Sequence, residues 1–252
     1  MLPKSSNLEP WEGFLLLNKP VGISSFGVIP RIRKLTGQKK IGHAGTLDPF
    51  ASGLLVLALG RTYTRQISCF QDLPKKYLAT VVLGIETDSL DITGQIIKYD
   101  IQKDLYRKDL SDLETIITAA LPHFTGEQWQ VPPQFSAKKS QGVRAYKIAR
   151  AGNTVDLPAR QIWIYDLRLL KVYRHFTLGM ELPHFELEIS CSKGTYIRSL
   201  AKDIGEALGT VASCQALTRT AIGNHVLSDA CNFDQFCEND LELAKSKLFL
   251  SP

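Results

Sequence analysis

The chain has 252 residues, 44% of them hydrophobic, and a formal net charge of +5; that is enough for one large domain with a real core. No run approaches the roughly 18 uninterrupted apolar residues of a membrane helix, and the N-terminal "MLPKSSNLEPWEG" lacks the apolar segment of a secretory signal, so the cytoplasm is the expected location. Cys69, Cys191, Cys214, Cys231 and Cys237 are odd in number, scattered and without a C-x-x-C pair, which points away from a disulfide framework or zinc site and toward reduced, mostly packed thiols.

In chain order, "GFLLLN" (13–18) reads as a short buried strand bounded by glycine and proline. Between Ser25 and Gly37, Val28, Ile32 and Leu35 recur at helical spacing with serine at the start and glycine at the stop, although Pro30 lies far inside. "IGHAGTLDPFASG" (41–53) reads as a tight loop in which Gly42 and Gly45 take positive φ, Asp48 caps the next turn through Pro49, and Gly53 opens the strand "LLVLAL" (54–59). "YLATVVLG" (77–84), "QIWIYDLRLLKVY" (161–173) and "HFELEIS" (184–190) are rich in β-branched and aromatic residues and predict further strands. Residues 124–160, with Pro132, Pro133, Pro158 and three glycines, predict a surface insertion. Ile197, Ala201, Ile204 and Leu208 lay an apolar stripe on a helix that Thr195 is placed to cap and Gly209 to end.

Charge is unevenly spread. "RIRKLTGQKK" (31–40) holds five cations and no acid, and Gln128 to Val155 holds Lys138, Lys139, Arg144, Lys147 and Arg150, again with no acid. Either run alone fits a solvated face, but two flanking one glycine-rich loop favour a phosphate backbone as partner. The usual chemistry of a loop aspartate is missing. No G-x-x-x-x-G-K-[ST] or G-x-G-x-x-G phosphate loop, H-E-x-x-H or G-x-S-x-G occurs, and "ETDSLDITG" lacks calcium-loop spacing. No second carboxylate accompanies Asp48 in its motif, as a glycosidase-like hydrolase would require.

"LLLNKPVGISS", "GHAGTLDPFASGLLVLALG", "KKYLATVVLG…TDSLDITG" and "CSKGTYIRSLAKDIGEALG", in this order, resemble the TruB family of tRNA pseudouridine synthases over about residues 11 to 225. The resemblance implies an α/β (α+β) pseudouridine synthase fold, a large mixed, mostly antiparallel sheet flanked by helices with an RNA-binding insertion. It also implies isomerisation of uridine 55 in the T loop of tRNA, with the target base flipped out. That reaction breaks an N–C glycosidic bond, turns the base and rejoins it through carbon, so no cofactor and no metal is expected. The family pattern makes Asp48 the catalytic carboxylate, and attack at C1′, addition to the base and elimination to a glycal all stay open. It gives Arg198 the role of the cation beside that carboxylate, and Tyr77 stacking on the base and removal of the C5 proton. Tyr196 and Leu217 line the base pocket, His43 fills the space the base leaves, and Lys19 and Pro20 support the active-site loop. Lys138, Lys139, Arg144 and Tyr146 fall in the family's RNA-embracing loop.

The expected partner is the T arm of tRNA, with no membrane and no obligate protein partner, and the chain is expected to act as a monomer. One catalytic domain over 1–252 is expected, without the C-terminal RNA-binding (PUA-like) domain of longer family members, because "SDACNFDQFCENDLELAKSKLFLSP" is short and partly acidic. Two alternatives remain: a guide-RNA-dependent relative of the dyskerin type, and a tRNA-binding or tRNA-folding protein that keeps the fold. The extended tail of the first is not seen, and intact Asp48, Tyr77 and Arg198 speak against the second.

Overall fold

The first apolar run becomes strand β1 (Gly13–Lys19), and both of its faces are covered. Leu15 and Leu17 join one cluster with Leu55, Leu57 and Leu59 and with Val28, Ile29 and Ile32 of helix α1 (Val28–Thr36); Phe14 and Leu16 join another with Leu54, Val56, Phe70 and Ile222. A strand buried on both sides needs an apolar residue at every position, so it reads as a continuous run rather than an alternation.

The computed structural model describes residues 11–101, 104–136, 139–140, 143–150, 152–233 and 241–251. After α1 come β2 (Ile41–Ala44), β3 (Ser52–Leu59), α2 (Arg61–Gln66) and α3 (Ser68–Asp72). Then follow β4 (Lys75–Leu83), β5 (Ile85–Thr87), β6 (Ile96–Tyr99), α4 (Leu110–Ala120), β7 (Gly126–Gln130), β8 (Lys139–Ser140), β9 (Val143–Arg144) and α5 (Ala145–Arg150). The long hairpin β10 (Arg160–Thr177) and β11 (Met180–Cys191) leads to α6 (Ile197–Ala207), β12 (Ala212–Ile222), β13 (His225–Val226), β14 (Cys231–Asn232) and α7 (Leu241–Ser246).

Two compact units result, Met1–Leu73 with Arg219–Pro252, and Pro74–Thr218, with β12 contributing residues to both. In the first, β1 pairs antiparallel with β3 from Gly13↔Leu59 to Lys19↔Gly53 and parallel with β14, while β2 pairs with β3 from Ile41↔Leu59 to Ala44↔Val56. In the second, the strands run in the order β12-β4-β11-β10-β7, antiparallel at the β4–β11, β11–β10 and β10–β7 seams. These are the mostly antiparallel strands with flanking helices that the resemblance implies. Among the described residues, no helix is long and apolar enough to cross a membrane. Cys191, Cys214 and Cys231 are buried and Cys69 is exposed; Cys237 lies outside the described residues.

Several local expectations are corrected. Pro30 is the third residue of α1, inside the first turn, where a backbone N–H has no acceptor within the helix, so its missing donor costs nothing. Ser25 does not cap that helix but bonds to Leu47, as described below. Gly42 has no positive φ and belongs to β2, whereas Gly45 (φ 68°) and Gly53 (φ 105°) do take the left-handed region. Thr195 does not cap α6: its hydroxyl donates to the Ser192 carbonyl at 3.1 Å, and Tyr196 occupies the cap position with no side-chain cap bond. Within 124–160, residues Gly126–Gln130 are a sheet strand paired with β10, so irregular chain begins only after Gln130.

Candidate active site

In the first unit the loop carrying Asp48 leaves β2 and is pinned from several sides. The Ser25 hydroxyl accepts from the Leu47 N–H at 2.7 Å and donates to the Leu47 carbonyl at 3.0 Å, and the Pro49 carbonyl accepts from the Gly22 N–H at 2.7 Å. Arg219 reaches in from β12, donating from Nη2 to the Gly45 carbonyl at 2.9 Å and from Nε to the Leu54 carbonyl at 2.8 Å. Arg219 is almost wholly buried, and its strand approaches so closely that a Cβ at Gly53 would lie 2.4 Å from the Arg219 carbonyl oxygen. Glycine at 53 is therefore required by space as well as by φ.

Beside this loop Lys19 has no exposed surface, and its ammonium donates to the Pro20 and Ile23 carbonyls, both at 2.7 Å. Burial pushes its pKa down from 10.5 to about 8, with the Asp48 carboxylate pulling upward and the Arg219 guanidinium adding to the fall. Asp48 is half-buried, and its carboxylate and the buried Lys19 ammonium act on one another. His43, opposite Leu57 in the β2–β3 pairing, is held below its ordinary pKa by burial and then by Arg219. Its ring is neutral at pH 7, and its buried Nδ1 has no hydrogen-bond partner among the described residues. A neutral ring suits stacking on a base.

In the second unit Arg198, the second residue of α6, is 3% exposed. Its Nη1 donates to the Ser89 carbonyl at 2.5 Å and to Asp91 Oδ2 at 3.4 Å, and its Nη2 donates to the Phe135 carbonyl at 2.8 Å. Asp91 is itself buried and accepts on Oδ1 from the Thr93 amide and hydroxyl. Asp91 of "TDSLDITG", a stretch that matches no calcium loop, thus has another task, holding a buried guanidinium still. Tyr196 is fixed through its backbone, its N–H donating to Gln130 Oε1 at 2.8 Å and its carbonyl accepting from Gln130 Nε2 at 3.0 Å. The Arg160 guanidinium lies 4.5 Å over its ring, in room left by Gly194, where a Cβ would come within 3.1 Å of Arg160. Tyr77 on β4 and Leu217 on β12 are buried.

Lys19, Pro20, His43 and Asp48 therefore gather in one unit, and Tyr77, Tyr196, Arg198 and Leu217 belong to the other. Lys139 and Arg144 face each other in the β8–β9 register and Tyr146 lies in α5, while Lys138 lies outside the described residues. Arg219, Asp91, Gln130 and Arg160 are site-supporting residues that sequence reading missed. Among the described residues, no three His, Cys, Asp or Glu side chains converge to hold a metal ion.

The family model for TruB family pseudouridylate synthase (N terminal domain) matches residues 33–197, which include His43, Asp48, Tyr77 and Tyr196. The chain belongs to the TruB family. A tRNA pseudouridine synthase B of Desulfotalea psychrophila is 44% identical over 86% of this chain and 85% of its own length. The protein of that name from Protochlamydia amoebophila is 43% identical over 88% and 78%. Among solved structures, a chain in the crystal structure of a Cbf5-Nop10-Gar1 complex superposes with a TM-score of 0.65 at 25% identity, covering 95% of this chain and 60% of that one.

For this TruB family member the buried lysine sets a pH dependence. Turnover at saturating substrate is expected to fall as the pH rises through about 8, because deprotonation of Lys19 removes a cation beside Asp48. Stability should move the other way: between pH 8 and 10.5 the unfolded chain binds the lysine proton and the folded chain does not, so unfolding free energy rises with pH across that window. Measuring the pH–rate profile and denaturant unfolding in the same buffers separates the two. A rate that stays flat from pH 7 to about 9.5 would remove the Lys19 charge from the site.

Proposed function

We propose that this chain is a stand-alone tRNA pseudouridine synthase that isomerises uridine 55 in the T loop, with Asp48 as its catalytic carboxylate. The observation that carries this reading is the Asp48 loop, braced by Ser25, Gly22 and Arg219 beside a fully buried lysine: a half-buried carboxylate held in a fixed place and a positive field. In the reaction the N1–C1′ bond breaks, the base turns, and C5 bonds to C1′; the proton lost from C5 is balanced by one gained at N1. Nothing is oxidised and no outside atom enters. A preplaced carboxylate at the sugar–base junction supplies what the first step needs, and the fixed loop lowers the cost of bringing it there. Tyr77 takes the C5 proton, Tyr196 and Leu217 hold the detached base, Arg198 keeps the carboxylate ionised, and His43 fills the space the flipped base vacates. The enzyme works in the cytoplasm as a monomer, with the 138–150 cations gripping phosphates of the T arm. Relatives at 43–44% identity are named tRNA pseudouridine synthase B, and the 25% likeness to a Cbf5 complex is weaker support for a guide-dependent enzyme.

The test is incubation of purified protein with unmodified tRNA and with an isolated T-arm stem-loop, without guide RNA, followed by pseudouridine mapping. Product at position 55 is expected on both; none on either would sink the stand-alone reading. Arg198→Lys is expected to lower the single-turnover rate at least about 100-fold, since one ammonium cannot replace a planar fork serving Ser89, Asp91 and Phe135 at once. A near-normal rate would take Arg198 out of the reaction.

A further inference from the structure

Between β1 and α1 the chain exposes two apolar side chains, Val21 at 65% and Phe26 at 70%. The segment that presents them is anchored at both ends. Lys19 and Ser25 have no exposed surface; Lys19 ties down the Pro20 and Ile23 carbonyls, and Ser25 clasps both backbone polar atoms of Leu47. The Gly22 N–H bond to the Pro49 carbonyl at 2.7 Å then fixes the tip against the residue that follows Asp48. An exposed phenylalanine on such a mount is held ready for a contact, and little ordering entropy is left to lose when the contact forms.

The surrounding charge says what kind of contact. From Glu12 to Asp48 there is no acidic residue, while Arg33, Lys34, Lys39 and Lys40 are exposed. The Ile29 N–H bonds back to the Phe26 carbonyl at 3.2 Å, so Phe26 leads directly into the first turn of α1. Within α1, Pro30, Arg33 and Lys34 lie three to four residues apart on one side of the helix that Phe26 leads into. An aromatic face followed by a stripe of cations is the surface that a single-stranded nucleic acid takes, with a base stacking and the flanking phosphates meeting the cations. The exposed Trp129 and Trp163 offer a contrast, for an acid, Glu127, sits directly opposite Trp163 in the β7–β10 register.

We infer that Val21 and Phe26 form an RNA-stacking ridge that receives an unpaired base of the substrate loop next to the flipped uridine, with Arg33 and Lys34 taking the neighbouring phosphates. This rests on the tRNA reading above, and the test separates the two. The dissociation constant of an unmodified T-arm stem-loop is measured at several salt concentrations for the wild type, Phe26→Ala, Phe26→Tyr and the double variant Arg33→Ala with Lys34→Ala, with pseudouridine formation by the wild type assayed on the same RNA. Phe26→Ala should bind about tenfold more weakly with an unchanged salt slope, and Phe26→Tyr should recover to within about twofold. The double variant should flatten the slope by about 0.7–0.9 for each phosphate it no longer neutralises. Wild-type turnover with Phe26→Ala binding as tightly as wild type, or with Phe26→Tyr as weak as Phe26→Ala, would overturn the ridge and leave the enzyme reading standing. Binding that depends on Phe26 with no pseudouridine formed would leave the ridge and overturn the enzyme reading; no wild-type binding at all would overturn both.

Discussion

Asp48→Asn is expected to abolish pseudouridine formation, with a fall of at least about 10⁴-fold in the single-turnover rate, or roughly 5 kcal/mol of barrier at 1.36 kcal/mol per decade. The substitution keeps size and shape, so the bonds that hold the loop, from Ser25 to Leu47, Gly22 to Pro49 and Arg219 to Gly45, are all made by groups it does not touch. Affinity for the T-arm stem-loop should stay within a few-fold, because phosphate contacts carry binding while the carboxylate carries chemistry. A second change accompanies the first. The carboxylate supports the protonated form of Lys19, and without it the lysine pKa drops further below its already lowered value. Substantial turnover by the asparagine variant would show that another group breaks the glycosidic bond.

Elements of the fold were visible in the sequence wherever a single local pattern sufficed. β1 and β3 read correctly because burial on both faces leaves an unbroken apolar run, and α6 because its stripe of Ile197, Ala201 and Ile204 is buried as the spacing requires. The β2 segment did not, since Gly42 and Gly45 around His43 look like loop chemistry until Leu57 and Leu59 of β3 supply the partner edge. Helix α4 carries a legible signal as well: Asp109 accepts from the Asp112 N–H at 2.9 Å, and Leu113, Ile117 and Leu121 follow at helical spacing and are buried. The supporting charges were the least legible. Asp91 and Arg198 lie more than a hundred residues apart, and either alone looks like a solvated charge; only their 3.4 Å approach in a buried setting gives each its role.

Arg219 is the strongest case, and it yields a test that a merely structural residue would not pass. In "ALTRTAIG" it reads as a polar position on a strand, yet it is 1% exposed and closes the loop at Gly45 and Leu54 from 165 or more residues away. Arg219→Met, of similar length, should leave both carbonyls without their donor, at a cost of about 2–4 kcal/mol of stability. It should also lower turnover at pH 7 about 100-fold, since a loop displaced by about an ångström misplaces the carboxylate. The distinguishing readout is the alkaline limb of the pH–rate profile. The Arg219 charge lowers the pKa of Lys19 and of His43, so its removal lets Lys19 keep its proton to higher pH, and the limb should move upward. Arg219→Lys keeps the charge but cannot serve both carbonyls with the same geometry; its limb should stay near that of the wild type while its stability falls. A methionine variant whose rate drops with the limb unmoved would show that Arg219 shapes the loop without setting the field in which Asp48 and Lys19 work.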